Sequence, residues 1–429
     1  MISNAQLQRW ASYLIFAGLI LSFCASAITN EAIRAVAAKG LLYTDLIEKP
    51  RIYYPFHAGQ LFCMMAGGML ALLALRKKAP QIGFYPFLFL LVVGLYIALR
   101  GYSVPELFSK RIVNPRGPMQ CWVCAVAFAG VYFRNWKILG RGIYAVAILL
   151  SVYCAYIMVT LGTVNRSIAM NNLTSPLNPL YWAGVYTLLT AEDQWLYNRL
   201  KWIPISLYAL GSIITQTRLN LIMVMLAFIA YLFLRAKEGH SIRKPVATVI
   251  LSGVGVVLII TLLSATSFEE KLDFYQNSLA NRLTEDSRSE QVVAFFSDVP
   301  VSALAFGKGA EASWNWDGNL WKGGTDIGYL SVLFFGGVPM LIGLYLFMIR
   351  PALKNAFLAN HKTDLVAPVI LILFAIRMFS SEFPSLDIEY YPILLATGRC
   401  WGFLAAAQHQ IRYEHPVAAR PVQLCLASK

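Results

Sequence analysis

Four arginines stand where a membrane-like sequence has least reason to carry them. Arg218 lies in Thr215-Gln216-Thr217-Arg218-Leu219-Asn220, between two apolar runs. Arg282 and Arg288 lie in a long polar stretch, and Arg377 lies within or at the end of the apolar run from Ile370 to Phe379. A charge inside a bilayer is costly and faces protein or a wet cavity. Guanidinium groups bind phosphate through forked, charge-assisted hydrogen bonds. Several of them converging at a membrane surface would suit a lipid-linked diphosphate. Each also has a plainer reading as half of an ion pair: Arg288 has Glu285 and Glu290 nearby, and Arg377 has Glu382.

Three carboxylates are candidates for general-base work. Asp326 opens an apolar run in Thr325-Asp326-Ile327-Gly328-Tyr329-Leu330. The field of a helix N-terminus would lower its pKa and burial would raise it; helix capping alone also explains an aspartate there. Glu382 and Asp387 lie with Glu389 in Ser381-Glu382-Phe383-Pro384-Ser385-Leu386-Asp387-Ile388-Glu389-Tyr390-Tyr391, where acidic groups beside aromatics suit either a sugar site or a solvated loop. Trp314, Trp316 and Trp321, with Tyr329 after them, offer either a stacking platform for sugar rings or an interfacial belt. Gly307-Lys308-Gly309 is a turn with a cation, without the spacing or the Ser/Thr of a P-loop. None of the five histidines lies in the polar stretch, and the CxxC at Cys121 and Cys124 sits in an apolar run, where small packing residues are expected. The chemistry these residues imply therefore uses arginines and carboxylates, with no metal and no cofactor.

The elements that must position these groups are membrane helices. The chain is 58% hydrophobic and 14% charged, against about 25% charged in an average soluble domain. Its long, unalternated apolar runs predict helices rather than a barrel, since backbone polar groups must be satisfied within lipid. The sequence predicts an all-α polytopic membrane protein, a single integral membrane domain over 1–429, with about 12 transmembrane helices. They centre near 11–29, 57–75, 82–99, 118–133, 143–162, 177–191, 202–217, 219–234, 246–264, 326–349, 365–382 and 391–407. The first run is long enough to span and is read as a helix, not a cleaved signal.

One long loop interrupts this pattern between spans 9 and 10, over 265–325, and holds nine of the 22 acidic residues. Long structured loops among short ones are where chemistry on water-soluble groups concentrates. With both termini cytoplasmic, the densest basic clusters, such as Arg76-Lys77-Lys78 and Arg235/Lys237/Arg243/Lys244, fall inside. The long loop then lies outside. The net charge of +14 reads as this bias together with affinity for anionic membrane lipid, not for nucleic acid.

The order of these features resembles the O-antigen ligase and O-antigen or exopolysaccharide polymerase superfamily of bacterial inner membranes. It runs from Thr217-Arg218 between two spans to Arg288 in the long loop. Then come Phe306-Gly307-Lys308-Gly309, a Trp/Gly-rich stretch, and Asp326-x-x-Tyr329-Leu330 opening a span with Gly336-Gly337. The resemblance covers about Gly211 to Tyr345 and elsewhere rests on hydropathy and span count. It implies a Wzy-type polymerase, of the xanthan type among others, acting at the periplasmic face on oligosaccharides linked to undecaprenyl diphosphate. It makes Arg218 and Arg288 diphosphate ligands, with Arg282 and Arg377 as further candidates. It also implies a flippase and chain-length or export proteins as partners. Ligases of the superfamily carry a histidine where this chain has Asp326, which favours polymerase over a ligase acting on lipid A-core. A flippase or transporter is the rival from another class; the absence of an internal repeat and the gathering of polar residues on one face count against it.

Overall fold

The computed structural model describes residues 3–37, 50–75, 83–100, 117–160, 166–191, 195–215, 217–239, 287–310, 312–316, 318–321, 325, 327–359, 361–379 and 388–414. The expected ninth span, 246–264, and the first part of the long loop fall outside these residues.

What is described is mostly α-helical. In chain order come α1 (Asn4–Ala37), α2 (Tyr53–Leu75), α3 (Phe84–Arg100) and α4 (Pro118–Gly130), the last tightened to a 3-10 turn at Cys124–Val126. There follow α5 (Phe133–Thr160), α6 (Arg166–Thr190), α7 (Trp195–Leu200), α8 (Trp202–Ile214) and α9 (Arg218–Lys237). Further along come α10 (Ser287–Asp298) and α11 (Val301–Phe306), then the hairpin β1 (Trp314–Trp316) and β2 (Asn319–Trp321). The chain continues in α12 (Gly328–Leu344), α13 (Arg350–Leu358), α14 (Lys362–Arg377) and α15 (Tyr390–Glu414). Among the described residues, five helices are long and apolar enough to cross a membrane: Asn4–Ala32, Tyr53–Leu75, Asn135–Val159, Arg218–Lys237 and Gly328–Leu358.

Two local outcomes differ from the sequence expectation. The sixth span was expected near 177–191, yet α6 begins at Arg166 and runs through both Pro176 and Pro179. Each proline removes one intrahelical N–H, and packing of the α6 face from Leu177 to Leu189 in the core outweighs that loss. The long loop adds a small antiparallel hairpin to the helices of the described residues, pairing Trp314 with Trp321 and Trp316 with Asn319.

The second half of the long loop is bound to the bundle by a backbone joint. Inside α12, Gly337 leaves the helix at φ 69°, and Pro339 has no N–H to offer the Phe335 carbonyl. Lys308 N–H donates to the Phe334 carbonyl at 2.7 Å, and Gly309 N–H to that of Phe335 at 3.0 Å. The two chains approach so closely that a Cβ on Gly337 would stand 2.6 Å from the Ala305 carbonyl oxygen. One on Gly307 (φ 73°) would stand 2.6 Å from that of Phe335. At the end of α3, the Tyr96 hydroxyl donates to the Phe306 carbonyl at 2.6 Å and Arg100 Nε to that of Gly307 at 3.0 Å. A satellite core of Phe295, Val299, Leu304, Ala312, Trp314, Phe334 and Phe335 closes the joint.

Replacing Gly337 with alanine should release this joint, because it combines a left-handed φ with a backbone collision. We expect a loss of about 2–4 kcal/mol, read as a lower thermal midpoint in detergent and faster proteolysis within 287–321. Gly318→Ala, in the hairpin turn with nothing within 4 Å, should cost only about 1 kcal/mol.

Candidate functional site

Arg377 ends α14 and is 4% exposed. Its Nη2 donates to Asn178 Oδ1 at 2.6 Å. Its Cζ lies 4.7 Å from the Tyr181 ring centre and 5.6 Å from that of Trp182. Residues three and four apart share a face of a helix, so α6 presents Asn178, Tyr181 and Trp182 together to the guanidinium. A charge-assisted hydrogen bond contributes about 1.5–3 kcal/mol, and a desolvated cation–π contact about 2 kcal/mol. The last turn of α14 adds the negative end of a helix dipole. These interactions hold the cation in a buried position.

Further groups close the cluster. Tyr208 of α8 is wholly buried, with its ring 4.9 Å from that of Tyr181. Its hydroxyl hydrogen-bonds the Arg377 side chain, and Glu389 lies near it. Glu389, buried at the entry to α15, thus belongs to the same neighbourhood. Tyr329, in the first turn of α12, donates its hydroxyl to the Ala375 carbonyl at 2.9 Å and rests on Phe379 at 4.6 Å. Its own N–H donates to the Met378 carbonyl at 3.3 Å. The start of the helix that receives the loop is therefore tied to the end of the helix that carries Arg377.

Arg218 belongs to the same end of the bundle. α9 and α14 run antiparallel, joined at the opposite end by Lys362 and Glu238 at 3.0 Å. At 1.5 Å per residue, Arg218 lies about 30 Å above Glu238 and Arg377 about 22 Å above Lys362, leaving Arg218 about 8 Å the higher. The hydroxyl of Tyr181, the ring beneath Arg377, donates to the Met223 carbonyl at 3.3 Å; Met223 lies five residues along α9 from Arg218, which agrees. Arg218 is exposed and Thr217 precedes it in extended conformation. The Thr217 hydroxyl is 3.0 Å from that of Thr215.

The remaining expected site residues divide. Asp326, Glu382, Asp387 and Arg282 lie outside the described residues, as do the side chains of Arg288 and Trp321. The backbone places Arg288 in the first turn of α10 and Trp321 in β2. Trp314 is corrected to a packing residue. It is wholly buried against Phe295 and stacked on Trp316, so its faces are closed to a sugar ring. Trp316 is only half-buried. Cys121 and Cys124 are buried in α4, with Cys124 Sγ 3.8 Å from the Tyr390 hydroxyl. Asn178, Tyr181, Trp182 and Tyr208 were not singled out from sequence. The one available signal was an amide between two prolines inside an apolar segment, Pro176-Leu177-Asn178-Pro179.

No family model, no curated protein and no solved structure matches this chain.

Asn178→Leu removes the amide oxygen to which Arg377 Nη2 donates. It should lower stability by about 1–3 kcal/mol, measured as a thermal shift in detergent. Asn178→Asp, which keeps an acceptor, should recover most of it.

Proposed function

We propose that this chain is an inner-membrane glycosyltransferase that polymerises undecaprenyl-diphosphate-linked oligosaccharide repeats. In this reading the chain has about 12 spans, cytoplasmic termini and a periplasmic loop between spans 9 and 10. The observation that carries it is Arg377. A guanidinium is buried at the loop end of the bundle, held by a neutral amide and two aromatic rings, with Arg218 about one and a half helical turns higher. In a site of low dielectric, a fixed positive charge stabilises developing phosphate charge far more than it would in water.

The reaction is a displacement at the anomeric carbon. A carboxylate, Asp326 first and Glu382 or Asp387 next, takes the proton from a hydroxyl of the terminal sugar on an incoming lipid-linked repeat. That oxygen bonds to the anomeric carbon of the growing chain as the bond to the diphosphate breaks. Undecaprenyl diphosphate leaves with the electron pair, stabilised by Arg218 and Arg377, with Arg288 and Arg282 delivered by the loop. Trp316, Trp321 and Tyr329 are the remaining candidates for seating the sugar. The docked segment from α10 to the hairpin supports this reading as a lid anchored by its Gly307 turn.

A deletion strain should accumulate single lipid-linked repeats on the outer leaflet while polymer disappears. Accumulation on the cytoplasmic leaflet would instead mark a flippase. Arg377→Lys should lose about 10²–10³ in polymerisation rate at unchanged protein level, because lysine cannot keep the forked geometry. Asp326→Asn tests the base, and full polymer in that strain would remove it from the role.

A further inference from the structure

A polar pocket lies where the proposed reaction has no part. α15 enters beside the Arg377 cluster, and farther along it Gly402 meets Val131, just before α5 begins. There, at the end of the bundle away from the loop, a cavity of about 80 Å³ opens between the beginnings of α1 and α5. Gln8, Arg9, Ser12 and Tyr13 line it from α1, Asn135 and Ile138 from α5. Asn135 is 3% exposed, and its Nδ2 is buried without an acceptor among the described residues. Among those residues no carboxylate lines the cavity, and neither helix has an acidic residue in its first turn.

The cavity is built for an anion. Ser12 commits its hydroxyl hydrogen to the Gln8 carbonyl at 3.0 Å, which leaves the Arg9 guanidinium and the amides of Gln8 and Asn135 as donors. Two helices of 34 and 28 residues begin here, each with the positive end of its dipole. A buried amide nitrogen left unpaired is costly. A phosphate oxygen would give it an acceptor and at the same time balance Arg9; water would leave the positive field in place. The surroundings decide the source of the phosphate. Trp10 and Tyr13, beside Arg9, are exposed aromatics of the kind that sit at headgroup level. Tyr13, Phe16 and Ile20 follow Arg9 at steps of three and four residues, so they share its face of α1, and all are exposed. On α5, Ile138 is itself a wall of the cavity, and exposed Leu149 continues its stripe. The two stripes lie side by side, since a Cβ on Gly142 would stand 2.7 Å from the Phe16 ring. An apolar track therefore leads from the cavity along both helices.

We propose that this cavity binds the phosphate of an anionic membrane lipid through Arg9, Gln8 and Asn135, with the acyl chains along Phe16, Ile20, Ile138 and Leu149. Basic pockets between membrane helices hold anionic headgroups on this principle. Nothing in the site depends on the proposed glycosyl transfer. Full-length protein in detergent, offered phosphatidylglycerol or phosphatidylcholine, should retain the first in preference by native mass spectrometry. Arg9→Gln should weaken that retention roughly tenfold; Arg9 is exposed, so the fold should survive the change. Arg9→Lys keeps the charge and should stay within about threefold. Asn135→Asp, close in shape but anionic, should cost roughly tenfold by repelling the phosphate. Lys137→Gln removes the same charge two residues from Asn135, on another face of α5, and should leave retention within about twofold. Equal retention of phosphatidylcholine, or unchanged retention in both Arg9→Gln and Asn135→Asp, would overturn the proposal. So would a thermal shift with inorganic phosphate as large as that with the lipid, since it would assign the cavity to a soluble anion.

Discussion

Two backbone hydrogen bonds, from Lys308 and Gly309 to the carbonyls of Phe334 and Phe335, are the contact on which the loop end of this protein depends. A helix at membrane depth cannot leave carbonyls unsatisfied at low cost. Gly337 and Pro339 free two of them in mid-helix. The loop turn supplies the missing donors, and glycines on both sides permit the approach. The break and the turn are one feature: without the turn the break would be a liability, and without the break the turn would have nothing to bind. Everything from α10 to β2 is positioned by this joint, and Tyr329, seven residues before Gly336, ties the same helix to the end of α14.

A second constraint is the burial of Arg377. An arginine cannot shed its proton to escape a low dielectric, so the fold must supply acceptors and polarisable surface around it. Asn178, Tyr181 and Trp182 provide these from a single helix face, and Tyr208 and Glu389 extend the polar neighbourhood. Proline within α6 becomes understandable in that setting. The core packing that carries the helix through Pro176 and Pro179 also sets the amide between them beneath the guanidinium. Charge at the other end of the bundle is handled differently. Lys362 with Glu238, and Arg399 with Asp364, form ion pairs that tie α14 to α9 and to α15.

Much was legible without coordinates. Apolar runs announced membrane helices, and two glycines around Lys308 marked a turn where α11 ends. An arginine in the apolar run Ile370 to Phe379 announced a special environment, because lipid physics makes such a charge expensive. The identity of that environment was not legible. Glu382, the carboxylate nearest in sequence, lies outside the described residues, whereas an amide bonded to Arg377 is 199 positions away. The tryptophans show the same division. Their clustering marked them as a set, yet Trp314 packs a core while Trp316 stays half-buried, and only the fold of α10 and α12 around the hairpin separates them.

Local chemistry and one-dimensional periodicity thus determined the class of this protein: helices of membrane type, a polar segment, and arginines out of place. These are properties that each residue carries with its near neighbours, through hydropathy and backbone preference. Tertiary structure decided which out-of-place groups meet. The joint of Gly307 with Gly337 and the seat of Arg377 on α6 each join residues distant in sequence or set by helix packing. Their energies come from satisfying buried polar groups, a requirement that exists only once the chain has excluded solvent and lipid from around them.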